Sequence, residues 1–112
     1  MVGDETIGLP WVVTTGFVRL MANPSSVASP LAPTVAADHV RHWFLFPHVI
    51  PINPGLDHLA FFRQVLDFPG SGHNIVTDAH IAALAIEHKA EVHSADRHFG
   101  RFPGVRWHNP LA

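Results

Sequence analysis

Apolar positions along the chain follow two rhythms. Between Trp11 and Met21, the residues Val13, Phe17, Leu20 and Met21 recur at offsets of 0, 4, 7 and 8, the period of a helix. Pro10 suits its first turn and Asn23-Pro24 ends it, because proline cannot continue the hydrogen-bond ladder. Ser25 to Pro33 reads as a loop, and a second helix runs from Pro33-Thr34 to about Leu45, with Thr34 as the expected N-cap. A third helix spans Asp57 to Phe68 on the stripe Leu59, Phe62, Val65 and Leu66. After the glycine-containing loop Pro69 to His73, Asn74 or Thr77 is expected to cap a fourth helix reaching about His88. That helix is apolar nearly all round, so it should be buried on more than one side.

The second rhythm is the short extended run. Ile7-Gly8-Leu9, His48 to Ile52, Ala90 to Ala95 and Gly104 to Trp107 read as strands. Strands alternating with helices predict an α/β fold, a parallel sheet flanked by helices. The 112 residues suit one domain, so residues 1–112 are expected to form a single unit.

Composition narrows the function. With no cysteine, disulfide frameworks and thiolate metal sites are excluded. A formal charge of −2 argues against binding nucleic acid through a broad cationic face, although ten histidines would shift the balance near pH 6.5. Every longer apolar run is broken by Arg, His, Pro or Asp, so no membrane span is expected. Met1 to Glu5 carry two acids and no Lys or Arg, unlike a secretory signal, and a cytoplasmic protein is expected.

In open α/β sheets ligands bind beyond the carboxyl ends of the strands. Asp96 directly follows the Glu91–Ala95 strand, and Asp78 lies in the first turn of the fourth helix. One helix and one strand separate them, which lets the chain fold back and bring the two carboxylates together. Facing carboxylates make a hard oxygen site suited to Mg²⁺ or Mn²⁺. The same residues also have structural roles open to them, Asp78 against the helix dipole and Asp96 in an Asx turn to the backbone of His98. Arg97, Arg101 and Arg106 follow and are candidates for gripping phosphates, or simply a solvated surface. Thr77 is a cap or a water-orienting hydroxyl. His39 and His42 share a helix face at i,i+3, a pair that a zinc hydrolase would need to complete with a third ligand. Trp11 and Trp107 are expected to pack.

The strings Leu9-Pro10-Trp11-Val12-Val13, Gly16 to Leu20, Asn74 to Ala85, Ser94 to Phe99 and Phe102 to Trp107 with Asn109-Pro110-Leu111, in that order, resemble PIN-domain ribonucleases of the VapC toxin family. The resemblance implies a PIN-like, Rossmann-like sheet. It also implies a metal-dependent endoribonuclease toxin that hydrolyses RNA with a metal-activated water, and a cognate antitoxin that blocks the groove. It carries Asp78 and Asp96 over as catalytic metal ligands for Mg²⁺, with Mn²⁺ as the alternative, and a homodimer is expected. The family's opening strand–helix unit with its Asp-x-Asn signature has no match here, so the expectation is an N-terminally truncated PIN domain. Asp4 and Glu5 precede the wrong strand to substitute for it. Gly16 stands where many members place a glutamate, and His98 where a second acid often follows Asp96. The alternative reading is therefore a catalytically impaired remnant that only binds an antitoxin.

Overall fold

The computed structural model describes residues 6–68, 70, 72–94 and 96–111. Asp4, Glu5, Pro69, Ser71 and the Ala95 end of the expected third strand lie outside them. The chain divides into two compact units, residues 1–53 and residues 54–112.

In the first unit, strand β1 (Ile7–Pro10) runs directly into helix α1 (Trp11–Ala22). Pro10 makes the junction possible, because its φ of −65° and ψ of 145° finish the strand and present the helix start. Helix α2 (Pro33–Trp43) follows, then strand β2 (Val49–Ile52) pairs parallel to β1 in the register Gly8↔Ile50 and Leu9↔Pro51. Gly8 is required here, since a Cβ would run into the Ile52 side chain lying diagonally across the pair. The helices meet through Phe17 and Trp43, edge to face at 4.8 Å, and Trp11 packs on Phe44 at 5.8 Å. Ala36 and Val40 are the buried hydrophobic residues of this unit among those described.

Thr34 does not cap α2. The cap position is Ala32 and Pro33 takes the first helical position, where its fixed φ is already helical, so the cap falls two residues early and leaves the Thr34 hydroxyl inside the first turn.

The second unit holds the larger core. Helices α3 (His58–Leu66) and α4 (Val76–Glu87) pack together, with Val65 fully buried on α3 and Ala79, Ala82, Ala83 and Leu84 on α4 at 2% exposure or less. The small side chains of α4 let its backbone approach its neighbours closely; Ala79 and Ala82 to Ala85 are buried, Ile81 and Ile86 half-buried, and Val76 in the first turn stays 42% exposed. A 3-10 turn, His73–Ile75, leads into α4. Neither Asn74 nor Thr77 caps it; the N-cap is Ile75, without a side-chain bond, because that turn places Asn74 before the cap and Thr77 beyond it.

The exit from α4 is a Schellman motif. Lys89 N–H donates to Ile86 O at 3.1 Å and Ala90 N–H to Ala85 O at 2.7 Å, with Lys89 at a φ of +54°. Strand β3 (Val92–His93) then pairs parallel with β4 (Trp107–His108), and a 3-10 helix, Arg97–Arg101, lies between them in sequence. Phe99 and Phe102 bury their rings in the core cluster beneath that turn. The mixed α/β architecture with parallel strands fits a PIN-like fold. A single continuous sheet is not formed among the described residues; the strands make two separate parallel pairs, one per unit, and β3 and β4 are two residues long each. Among the described residues no helix is long and apolar enough to cross a membrane.

Candidate metal centre

Asp78 is in the first turn of α4, and Asp96 caps the 3-10 helix Arg97–Arg101. Asp96 is held from both sides. Its backbone N–H donates to Ser94 Oγ at 3.1 Å, and its Oδ1 accepts the His98 backbone N–H at 2.9 Å. That second bond is the Asx turn that the sequence offered as the structural reading of Asp96.

The fold brings the two aspartates together and adds a third group. Asp78, Asp96 and His98 each offer a ligand atom, and these atoms lie within 4.8 Å of one another. His98 Nδ1 is 2.8 Å from Asp96 Oδ1. Burial raises the Asp78 carboxyl above the ordinary carboxylate range; the Asp96 charge and a hydrogen bond to Asp96 add to the rise, and His98 works against it. A bound cation would relieve this crowding of negative charge. The Asp96 and His98 side chains are 42% and 53% exposed, so water and a large substrate can reach the centre. Two carboxylates and an imidazole are a donor set that holds a divalent ion while leaving positions for other ligands.

His98 is not among the candidate ligands that the sequence singles out. The available signal was its i+2 spacing from Asp96, which a 3-10 turn converts into a side-chain contact. Arg97 and Arg101 are exposed on the same 3-10 helix as His98 and make no ion pair among the described residues. Arg106 is occupied otherwise: its guanidinium donates to Lys89 O at 2.9 Å and ties β4 to the Schellman turn. Thr77 is exposed and has no capping bond. Trp107 packs as expected, its ring against Gly100 and its indole N–H donating to Ser94 O at 2.8 Å, whereas Trp11 is half exposed. His39 and His42 lie exposed on α2; the described residues contain no group of three ligands around them.

A further polar cluster had no sequence signal. Glu87 Oε1 is 3.0 Å from His58 Nδ1, His58 Nε2 is 2.8 Å from His80 Nδ1, and Gly55 N–H donates to Glu87 Oε2 at 2.6 Å. Burial opposes ionisation of Glu87, but the bonds from His58 and Gly55 outweigh it and hold the carboxyl below its ordinary range. Burial, with His58 beside it, lowers the His80 imidazole despite the opposing pull of Glu87. The cluster fastens the start of α3 to α4, the helix that carries Asp78.

A scan against protein-family models finds no match. Comparison with curated proteins does find relatives. The chain is 40% identical over 110 residues to ribonuclease VapC37 of Mycobacterium tuberculosis, covering 98% of this chain and 76% of that protein. Ribonuclease VapC43 of the same species is 38% identical over 108 residues, covering 96% of this chain and 74% of the relative. Ribonuclease VapC48 is 32% identical over 113 residues, covering 100% and 78%.

Proposed function

Because the chain belongs to the VapC ribonuclease family, we propose that it is the endoribonuclease toxin of a toxin–antitoxin pair, with Asp78 and Asp96 at its catalytic centre. The observation that carries this reading is the convergence of Asp78, Asp96 and His98 ligand atoms within 4.8 Å at an exposed mouth of the second unit.

Asp78, Asp96 and His98 would hold a divalent cation, Mg²⁺ or Mn²⁺, which would supply the positive charge that polarises a phosphoryl oxygen and lowers the pKa of water. The chain's residues do the rest. Asp78 and Asp96 provide the negative charge that draws the ion in. His98 and the Ser94 hydroxyl hold the Asp96 carboxylate and backbone in place. Arg97 and Arg101 present guanidinium groups to the RNA phosphates, where they position the strand without reading its sequence. Water is the nucleophile, so no covalent enzyme intermediate forms.

The family also implies an antitoxin partner and a homodimer. The exposed apolar side chains of the first unit, among them Trp11, Leu20, Leu45 and Phe46, support a protein-binding role for that unit. Asp96→Asn tests the catalytic reading. It should abolish RNA cleavage that depends on divalent ions and is stopped by chelator, while the circular dichroism spectrum stays unchanged. Undiminished cleavage by a folded variant would sink it. A wild-type chain that captures antitoxin but never cleaves would favour the impaired-remnant alternative.

A further inference from the structure

We propose that His98 tunes the ion preference of this centre, moving it away from Mg²⁺ and towards later first-row divalent ions such as Co²⁺, Ni²⁺ and Zn²⁺. The inference rests on the proposed metal-centre reading and goes beyond it by naming the residue that selects the ion.

The argument starts from how firmly His98 is placed. It sits in the Arg97–Arg101 turn, whose next residue, Phe99, is 4% exposed in the core. Its backbone N–H and its Nδ1 both approach Asp96 Oδ1, at 2.9 and 2.8 Å. The imidazole is therefore tied to the carboxylate it would share an ion with, unlike a freely rotating surface side chain.

Donor chemistry supplies the second step. Mg²⁺ is small, keeps near-octahedral oxygen coordination and dehydrates reluctantly, so charge on oxygen ligands is what holds it. A neutral imidazole contributes a nitrogen and no negative charge. Asp78, Asp96 and His98 together carry one negative charge fewer than three carboxylates would. Imidazole nitrogen suits Zn²⁺, Ni²⁺ and Fe²⁺, and affinity for mixed nitrogen and oxygen sites rises along the first row. Replacing an oxygen donor by His98 thus weakens the hold on Mg²⁺ and keeps or strengthens the hold on the later ions.

Among the described residues the other histidines form no group of three convergent ligands. In the His58–His80–Glu87 cluster both nitrogens of His58 are already engaged, one by Glu87 and one by His80. His93 and His108 lie side by side on β3 and β4 with ring centroids 5.1 Å apart, and His93 Nε2 is bonded to Glu91 at 2.9 Å. That pair lacks a third convergent ligand among the described residues.

The test uses the full chain, titrated calorimetrically with CoCl₂ and, separately, with MgCl₂ at one pH and ionic strength. The visible d–d absorption of the Co²⁺-loaded protein is recorded alongside. Asp78→Asn serves as the reference that removes this centre and leaves the other histidines. Wild type should bind Co²⁺ far more tightly than Mg²⁺. His98→Asp should shrink the Co²⁺/Mg²⁺ affinity ratio by roughly tenfold or more, an easily measured interval, and alter the d–d band. His98→Asn, a neutral oxygen donor, gives the same comparison if the aspartate variant fails to fold: it should lower Co²⁺ affinity with little change for Mg²⁺. An affinity ratio and absorption band that stay as in wild type in a folded His98 variant, while Asp78→Asn abolishes binding, would overturn the proposal and leave the metal-centre reading standing. Binding that survives Asp78→Asn intact would overturn both.

Discussion

The two units of this chain solve the problem of burying apolar surface very differently. The second unit packs Val65, Ile75, Phe99, Phe102 and alanines of α4 into one contiguous core. In the first unit the buried hydrophobic residues among those described are Ala36 and Val40, while Ile7, Trp11, Leu20, Leu45 and Ile50 each stay more than 40% exposed. The contrast explains where chemistry can sit. Asp78 and Asp96, the proposed metal ligands, extend from a helix and a turn backed by the dense core, and holding a ligand set to within about 0.5 Å needs such backing. The first unit offers apolar surface, which suits binding a protein surface.

Core truncation gives the largest expected effect. Phe102→Ala, at a site 4% exposed in that core, should destabilise the protein by about 3–5 kcal/mol. Leu20→Ala, at a site 52% exposed, should cost no more than about 0.5 kcal/mol. Chemical denaturation of both variants checks this. Equal losses would mean that the first unit has a hidden core, and the comparison would fail.

A smaller effect is expected at the polar clamp of the second unit. Glu87→Gln removes a charge-assisted bond with His58 and should cost about 1.5–3 kcal/mol. Its pH dependence follows from the direction of the shift. The Glu87 carboxyl titrates below its ordinary range, so on acidification the unfolded chain takes up the proton first. The stabilisation is complete above about pH 4.3, the ordinary glutamate value, and is lost as the pH falls through the lower folded-state pKa. Denaturation midpoints of wild type and Glu87→Gln should therefore converge in acid. A gap that persists unchanged would show that packing, not charge, fastens α3 to α4.

The smallest effect is a gain. Lys89 occupies the left-handed position of the Schellman motif, at a φ of +54° that glycine adopts without a Cβ penalty. Lys89→Gly should raise stability by up to about 1 kcal/mol, seen as a higher thermal midpoint. A loss instead would point to a role for the lysine side chain at this turn.

Much of the architecture was legible in residue order. The α1 stripe, the Pro10 junction and the all-round apolar character of α4 each report a local backbone preference, and each element formed within a few residues of its expected limits. Asp78 and Asp96 could be singled out because a helix start and a strand end are positions that a pattern reveals. The cap of α2 was misplaced because Pro33 and Thr34 compete for neighbouring roles and proline's fixed φ prevails. Arg106 was grouped with the phosphate-binding arginines because its acceptor, the Lys89 carbonyl, exists only once the turn after α4 has formed.

Periodicity and residue type alone thus specified the helices, the parallel α/β character and the two aspartates, since these depend on neighbours a few positions apart in sequence. Folding in three dimensions decided that His98 joins the acids, that His58 and Gly55 clamp Glu87, and that the strands pair off two by two. Those outcomes depend on distances between side chains whose chain positions are far apart or turned by an unforeseen 3-10 helix. A one-dimensional pattern holds no record of such distances, because they arise only when helices pack and exclude water.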